Sequence, residues 1–295
     1  MAYERLENCP VCGKSEFKNF LVVKDKSVSQ ESFVIVQCEN CSFKFTNPRP
    51  DAESIGAYYE SEDYISHSNT NKGIINKAYQ VVRSIAVKDK LELINKLAPK
   101  GAILDYGCGT GYVLAACQKD GWKVEGFEPN LTANKQAEEK LGKYIEKVSL
   151  ERFDEESFEI ITMWHVLEHV HTLNETFQEL LSLLKPGGVM LVAVPNADSL
   201  DAQKYGENWA AYDVPRHLYH FNQATMKRFL KKHKLALEDT KPMKYDAYYV
   251  SMLSEKYKAG KTKMFNSVLN GYKSNSYASK NNKDYSSLIY IARKK

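Results

Sequence analysis

Between Ile103 and Gly111 the chain reads Ile-Leu-Asp-Tyr-Gly-Cys-Gly-Thr-Gly: a short apolar run, an acid and three alternating glycines. The helix-forming run Tyr112-Val-Leu-Ala-Ala follows at once. A continuous apolar run of this length marks a parallel strand buried on both faces. The glycine turn behind it lets backbone approach a ligand with no Cβ in the way. The next helix directs its free N–H groups and positive dipole end at the same point. Together these features place a ligand site at the carboxyl end of a strand in an open α/β sheet.

The spacing narrows the ligand. A dinucleotide fingerprint is Gly-x-Gly-x-x-Gly. Here the order is Gly107-x-Gly109-x-Gly111, with Asp105 ahead of the first glycine, where a carboxylate would oppose a pyrophosphate and favour a cationic group. Three further stretches fall in register with this one. Trp122-Lys-Val-Glu-Gly-Phe-Glu128-Pro129-Asn130 reads as a second strand ending in an acid, 23 residues beyond Asp105, suited to accept two ribose hydroxyls. Phe158 to Val170 reads as an apolar strand, through Met163 and Trp164, running into a helix start at His165-Val-Leu-Glu168-His169. Leu183-Leu-Lys-Pro-Gly-Gly to Pro195-Asn196 is a helix stop, a turn, a buried strand and a proline break.

These four motifs, over about residues 95 to 240, resemble the class I S-adenosylmethionine-dependent methyltransferases. The resemblance implies a doubly wound, seven-stranded, mostly parallel α/β sheet (a Rossmann-like methyltransferase fold) with one antiparallel edge strand at the carboxyl end. It implies a loop of Asp105, Gly107, Cys108, Gly109 and Gly111 around the methionine part of S-adenosyl-L-methionine, with the acid near its ammonium. Glu128 would lie on the ribose, with Pro129, Met163 and Trp164 against the cofactor.

Four of the six cysteines form Cys9-x-x-Cys12 and Cys38-x-x-Cys41, each pair able to present two sulfurs to one ion. Four thiolates with no open position suit a structural, tetrahedral Zn²⁺. The intervening stretch fits a hairpin with strands over Phe17 to Val23 and Phe33 to Val36. Residues 1–50 are therefore expected to be a small N-terminal zinc ribbon. Residues 51–97 then form a helical linker or cofactor lid, in which Tyr59, Tyr64 or His67 could line the pocket and a helix runs from Ile74 to Leu97. Residues 98–295 form the methyltransferase domain, with an insertion at about 250–284 before a last strand at Ser286 to Ala292.

The histidines offer rival chemistries. His165-x-x-Glu168-His169 matches a zinc-peptidase spelling if it is helical, which would make the chain a metallohydrolase. Ubiquinone-type O-methyltransferases resemble the same segment and carry acids and a histidine there that hold a divalent ion; His165 stands here where the first acid would be. Otherwise Glu168 caps a helix start, and His165 faces the cofactor's methyl end. The run Tyr212-Asp-Val-Pro-Arg216-His217-Leu-Tyr-His220-Phe also resembles the family and precedes a helix over Thr225 to His233, capped near Asn222. His165, His217, His220 and Tyr212 are the candidates for a general base.

Composition sets the remaining bounds. The 295 residues, 43% hydrophobic and 26% charged, suit one domain plus a small module. No apolar run approaches the roughly 18 residues of a membrane helix, and the amino terminus lacks signal-peptide character, so a cytoplasmic protein is expected. The net charge of +4 is uneven: Glu255 to Lys295 carries ten Lys or Arg against two acids. The expected activity is methyl transfer to oxygen, nitrogen or carbon of a small-molecule acceptor. A four-cysteine module before such a core is similar to deoxysugar C-methyltransferases acting on nucleotide-linked sugars; a quinone- or phenol-type O-methyltransferase is the alternative. No nucleic-acid motif appears.

Overall fold

The computed structural model describes residues 2–59 and 74–295, with side chains of the first helix from Gln80 onward. Tyr64 and His67 lie outside the described residues. The amino-terminal part contains β1 (Tyr3–Glu4), β2 (Phe17–Lys24), β3 (Ser32–Cys38), β4 (Lys44–Thr46) and β5 (Arg49–Pro50). The expected hairpin is there as β2 and β3, each running slightly longer than its apolar core. The helix α1 (Ile74–Leu97) follows.

The core then alternates β6 (Ala102–Tyr106), α2 (Tyr112–Lys119), β7 (Lys123–Phe127), α3 (Leu131–Leu141), β8 (Phe158–Trp164), α4 (Leu173–Leu183) and β9 (Leu184–Pro195). It continues through α5 (Leu200–Tyr205), β10 (Tyr219–His220), α6 (Gln223–Lys232), β11 (Leu235–Pro242), α7 (Asp246–Ala259), α8 (Met264–Lys280) and β12 (Ser287–Lys294). Local chemistry sets several boundaries. Asn222 and Thr225 form a capping box at α6, and Asn130 accepts the Ala133 amide at the start of α3.

The main sheet has the order β11-β12-β9-β8-β6-β7. The pairs joining β9, β8, β6 and β7 are parallel, and β12 runs against both its neighbours. Among the described residues it has six strands rather than seven: beyond β7 only a single parallel bridge, Phe127 to Glu146, stands in the seventh place. The reversed strand is also interior rather than at the edge. Its Ser-Leu-Ile-Tyr-Ile-Ala run is buried on both faces, whereas β11, with Glu238, Asp239 and Lys241, carries the charges that suit an exposed edge.

One face of the sheet is covered by α1, α2 and α3, around Ile94, Leu114 and Leu141. The other carries α4 and α6, and here the cysteine module packs, with Phe43 and Phe45 in one apolar cluster with Phe177 and Phe229. The module is not a bead on a linker. Its sheet runs β10-β4-β3-β2, so a strand from residues 219–220 completes it. The expected insertion is the helix pair α7 and α8. It is anchored by buried Asp201, which accepts hydrogen bonds from Ser274 (2.7 Å), Ser286 (2.6 Å) and Trp209 (2.9 Å).

Candidate active site

The glycine turn leaves β6 at Tyr106 and is clamped to its neighbour: Gly107 and Cys108 amides both donate to the Phe127 carbonyl at the end of β7, at 2.7 and 3.0 Å. Gly107 has φ +75°, and a Cβ there would stand 2.4 Å from Val166, so only glycine fits. At Gly109 nothing lies within 4 Å of the place a Cβ would take, which leaves the loop open on that side. Gly111 starts α2 without a side-chain cap, so the helix end presents bare amides. Glu128 Oε2 accepts the Gly109 amide (2.8 Å) and Oε1 the Asn130 amide (2.9 Å). Each oxygen keeps a lone pair for a further donor. Burial nevertheless raises its pKa.

Asp105 lies deeper. It is 2% exposed, takes the Thr162 hydroxyl at 2.6 Å, and burial pushes its carboxyl up to about 7 against the pull of Thr162 and Lys90. Lys90, from α1, sits 4.3 Å from the centre of the Trp164 ring, and burial lowers its pKa although Asp105 and Asp246 oppose this. Met163 is fully buried, the Trp164 Nε1 has no hydrogen-bond partner among the described residues, and Pro129 is exposed after β7. Cys108 is a buried thiol that desolvation keeps protonated. Beside this region a cleft of about 970 Å³ opens between α1 and the α7–α8 pair, with Lys90, Asp246 and Tyr248 among its lining.

His165 ends β8 at φ +56°. Its Nε2 lies 2.9 Å from Asp246 Oδ2 and its Nδ1 3.3 Å from Glu168 Oε1. Burial opposes its charge, but the two carboxylates outweigh burial and push its pKa up to about 10. An imidazolium held between two acids has no lone pair to offer. Glu168 is fully buried; burial works against its charge, yet His165 holds it below the usual carboxylate range, and its Oε2 has no partner among the described residues.

The peptidase spelling is not realised as a helix. Leu167–His169 is a single 3₁₀ turn, and His169 meets His217 instead of His165, with ring centroids 4.5 Å apart. His169 Nδ1 lies 3.0 Å from both the Arg216 carbonyl and the Tyr59 hydroxyl, and His217 Nδ1 lies 2.8 Å from the Ala211 carbonyl. A carbonyl only accepts, so each ring carries a proton on Nδ1. Burial first, then His217, lowers His169 to about 4. One ligand atom each from Glu168, His169 and His217 lies within 4.8 Å of the others.

Two of the four base candidates are walled in. Tyr212 is 3% exposed with its phenol pushed up by burial, and His220 is 5% exposed with Nε2 spent on Thr46 Oγ1 at 3.2 Å. The pairing of β10 with β4 encloses His220, while Tyr212 packs in an apolar cluster with Tyr205, Trp209 and Ile35.

The four cysteines converge. Cys9 and Cys41 sulfurs are 3.6 Å apart, Cys12 and Cys38 3.5 Å, and all four lie within 4.8 Å of one another. All are free thiols. Zinc–sulfur bonds of about 2.3 Å make a tetrahedron with edges of roughly 3.8 Å, so the group fits such an ion and is far too open for disulfides near 2.05 Å.

The family model of the methyltransferase domain matches residues 80–240, more than half of the chain. The chain belongs to this family. It is a class I S-adenosylmethionine-dependent methyltransferase by family and fold. It is similar to the ubiquinone biosynthesis O-methyltransferase of Rhodopseudomonas palustris strain TIE-1, 28% identical over 139 residues covering 44% of this chain and 55% of that protein. The enzyme of the same name from Actinobacillus pleuropneumoniae serotype 7 strain AP76 is 35% identical over 106 residues, 32% and 45% of the two chains. The chain thus spans about half the length of the curated relatives it matches. A solved geranyl diphosphate methyltransferase in complex with SAM shares the fold at 14% identity, with a TM-score of 0.52, over 79% of this chain and 95% of that one.

Lys90, Thr162 and Asp246 belong to this methyltransferase's candidate site although no motif announces them. Asp246 lies 81 residues beyond His165, and only the packing of α7 against the end of β8 brings them together.

Proposed function

We propose that this chain moves a methyl group from S-adenosyl-L-methionine to a small-molecule acceptor, with a phenolic or quinol oxygen as the class its relatives' names favour and a nucleotide-linked sugar as the other. The observation that carries the reading is the open glycine loop closed on Glu128, whose two oxygens are held by the Gly109 and Asn130 amides. That grip leaves a fixed carboxylate with two vacant lone pairs where a ribose diol would lie. When bound, the cofactor supplies an electrophilic methyl on a sulfonium. Asp105 holds a buried carboxyl under the loop, oriented by the Thr162 hydroxyl, where a cationic ammonium would favour its ionised form. His217, its Nδ1 anchored on the Ala211 carbonyl, would take the acceptor's hydroxyl proton at Nε2. His165, doubly paired, serves as a fixed positive charge rather than a base.

A transfer assay with labelled S-adenosylmethionine over catechols, quinols and nucleotide sugars tests this, with His217→Asn expected to lower turnover by about 100-fold, the scale of lost base catalysis. Turnover unchanged in His217→Asn contradicts the assignment. A second reading follows from the bare Glu168 Oε2: with both Nδ1 atoms anchored on carbonyls, Glu168, His169 and His217 present three ligand atoms to a divalent ion. Activity that a chelator abolishes and that ion restores favours this second role over the base. We further infer a structural Zn²⁺ in the four-cysteine cluster; six free thiols suit a reducing, cytoplasmic compartment. No described helix is long and apolar enough to cross a membrane.

A further inference from the structure

We propose that the four-cysteine module is a brace for the histidine loop, with Thr46 and Arg216 as positioning residues that set the ring of His217; this rests on the reading of His217 as the proton acceptor. Two independent struts cross from the module to the loop. The first is Thr46, the last residue of β4. Its amide donates to the Leu218 carbonyl (2.9 Å), and its hydroxyl donates to the His217 carbonyl (3.0 Å) while lying 3.2 Å from His220 Nε2. With its one proton given to a carbonyl, the hydroxyl accepts from His220. Thr46 stands five residues beyond Cys41, and the knuckle is closed by the Cys38 amide on the Phe43 carbonyl at 2.9 Å. The sulfur cluster therefore fixes the strand that holds the loop.

The second strut is Arg216, 1% exposed. Its guanidinium grips Asp213 through Nε (3.1 Å) and Nη2 (2.7 Å) on the loop side. On the module side Nη2 reaches Asp25 Oδ1 (3.0 Å) and Ser27 Oγ (2.9 Å), and Nη1 reaches the Tyr58 carbonyl (2.8 Å). Asp25 is itself locked, accepting the amides of Ser27 (3.0 Å), Val28 (3.2 Å) and Ser29 (2.8 Å) at the turn between β2 and β3. The Asp213 carbonyl in turn accepts the His217 amide at 3.0 Å, and the Arg216 carbonyl is the one that lies on His169 Nδ1. The backbone at Asp213 and Arg216 is thus tied to the module, and Ala211, whose carbonyl meets the His217 ring, shares an apolar cluster with Val23, Phe33 and Ile35 of β2 and β3.

The consequence is a tautomer. A free histidine favours the proton on Nε2, which would leave no base facing the acceptor; the Ala211 carbonyl enforces Nδ1–H only while the loop is held at 2.8 Å from the ring. A residue that merely stabilised the fold would not alter this preference in the folded protein.

The test is ¹⁵N spectroscopy of histidine-labelled full-length protein, with S-adenosylhomocysteine affinity and zinc content measured on the same samples. The wild type should show His217 as the Nδ1–H tautomer. Thr46→Val should turn the majority of His217 to Nε2–H with nucleoside affinity and zinc within twofold of wild type, and Thr46→Ser should restore the wild-type spectrum. Asp25→Asn, which weakens the second strut without touching the loop, should give a smaller shift of the same sign. His217 unchanged in folded Thr46→Val and Asp25→Asn overturns the brace, as does a wild type in which His217 is Nε2–H. If Thr46→Val loses nucleoside binding through misfolding, Asp25→Asn alone decides by the same criterion. Failure of the methyl-transfer reading would show separately, as wild-type protein with the Nδ1–H tautomer that transfers no methyl group.

Discussion

The cofactor end of the sheet and its histidine end are joined over very different lengths of chain. Glu128 meets Gly109 across 19 residues and Asn130 across 2. Around His217 the ring's own partner, the Ala211 carbonyl, is six residues away, but the loop is braced from much farther: Thr46 across 171 residues, and for Arg216, Asp25 across 191 and Tyr58 across 158. The first region is built mostly from β6, its glycine turn, α2 and the end of β7, with Thr162 of β8 reaching Asp105 across 57 residues. The second exists only after the amino-terminal sheet has accepted β10 as a strand. A site closed locally can survive damage elsewhere; one closed by long loops fails with any of its distant partners.

The harshest challenge to that contrast is Cys9→Ser with Cys38→Ser. Structural zinc contributes on the order of 10 kcal/mol to small domains that depend on it. We expect loss of the metal, with amide exchange protection falling across residues 2–59 and 210–222 while residues 102–130 keep theirs. Uniform loss in all three segments would erase the distinction between the ends. Gly107→Ala is the reciprocal experiment. A Cβ at φ +75° standing 2.4 Å from Val166 should cost about 1–3 kcal/mol in urea unfolding and weaken nucleoside binding, leaving the zinc in place. Full stability in this variant would show that the loop is not the constrained turn described.

A smaller effect joins the two ends through His165. Its pKa is raised in the folded state, to about 10, so the His165 pairing stabilises the fold fully below the unfolded value of about 6.5. That contribution is lost as pH rises from there through the folded value. Melting temperature should therefore decline across this window, and Asp246→Asn should flatten the decline. An identical slope in wild type and Asp246→Asn would remove the pairing from the account.

The same contrast separates the features written in contiguous residues from those that only packing creates. The glycine loop, the acid ending β7, the ribbon hairpin and the helix at Gln223 were legible because each is written in contiguous residues: a capping box, a turn, an apolar run. The strand count was overestimated, since the chain near Glu146 forms a lone bridge, and the reversed strand's interior place depends on which of two neighbours carries the charges. His220 and Tyr212 read as base candidates because polar aromatics near a strand end usually face a ligand; pairing with β4 buries His220 instead, and Tyr212 is enclosed by Tyr205, Trp209 and Ile35. Lys90 and Asp246 carry no signal, and Arg216, though part of a recognisable run, gives no hint of its partner Asp25; these partners are set by packing alone.

On the proposed function, the loop from Asp105 to Gly111 holds S-adenosylmethionine, with Glu128 on its sugar hydroxyls. Isothermal calorimetry with S-adenosylmethionine on wild type and Glu128→Gln tests it most directly. The wild type should bind one equivalent, and Glu128→Gln should bind about 10- to 100-fold more weakly, the scale of lost charge-assisted hydrogen bonds, with its zinc content unchanged. A wild type that binds none, or a Glu128→Gln protein that binds as well as wild type, would contradict it.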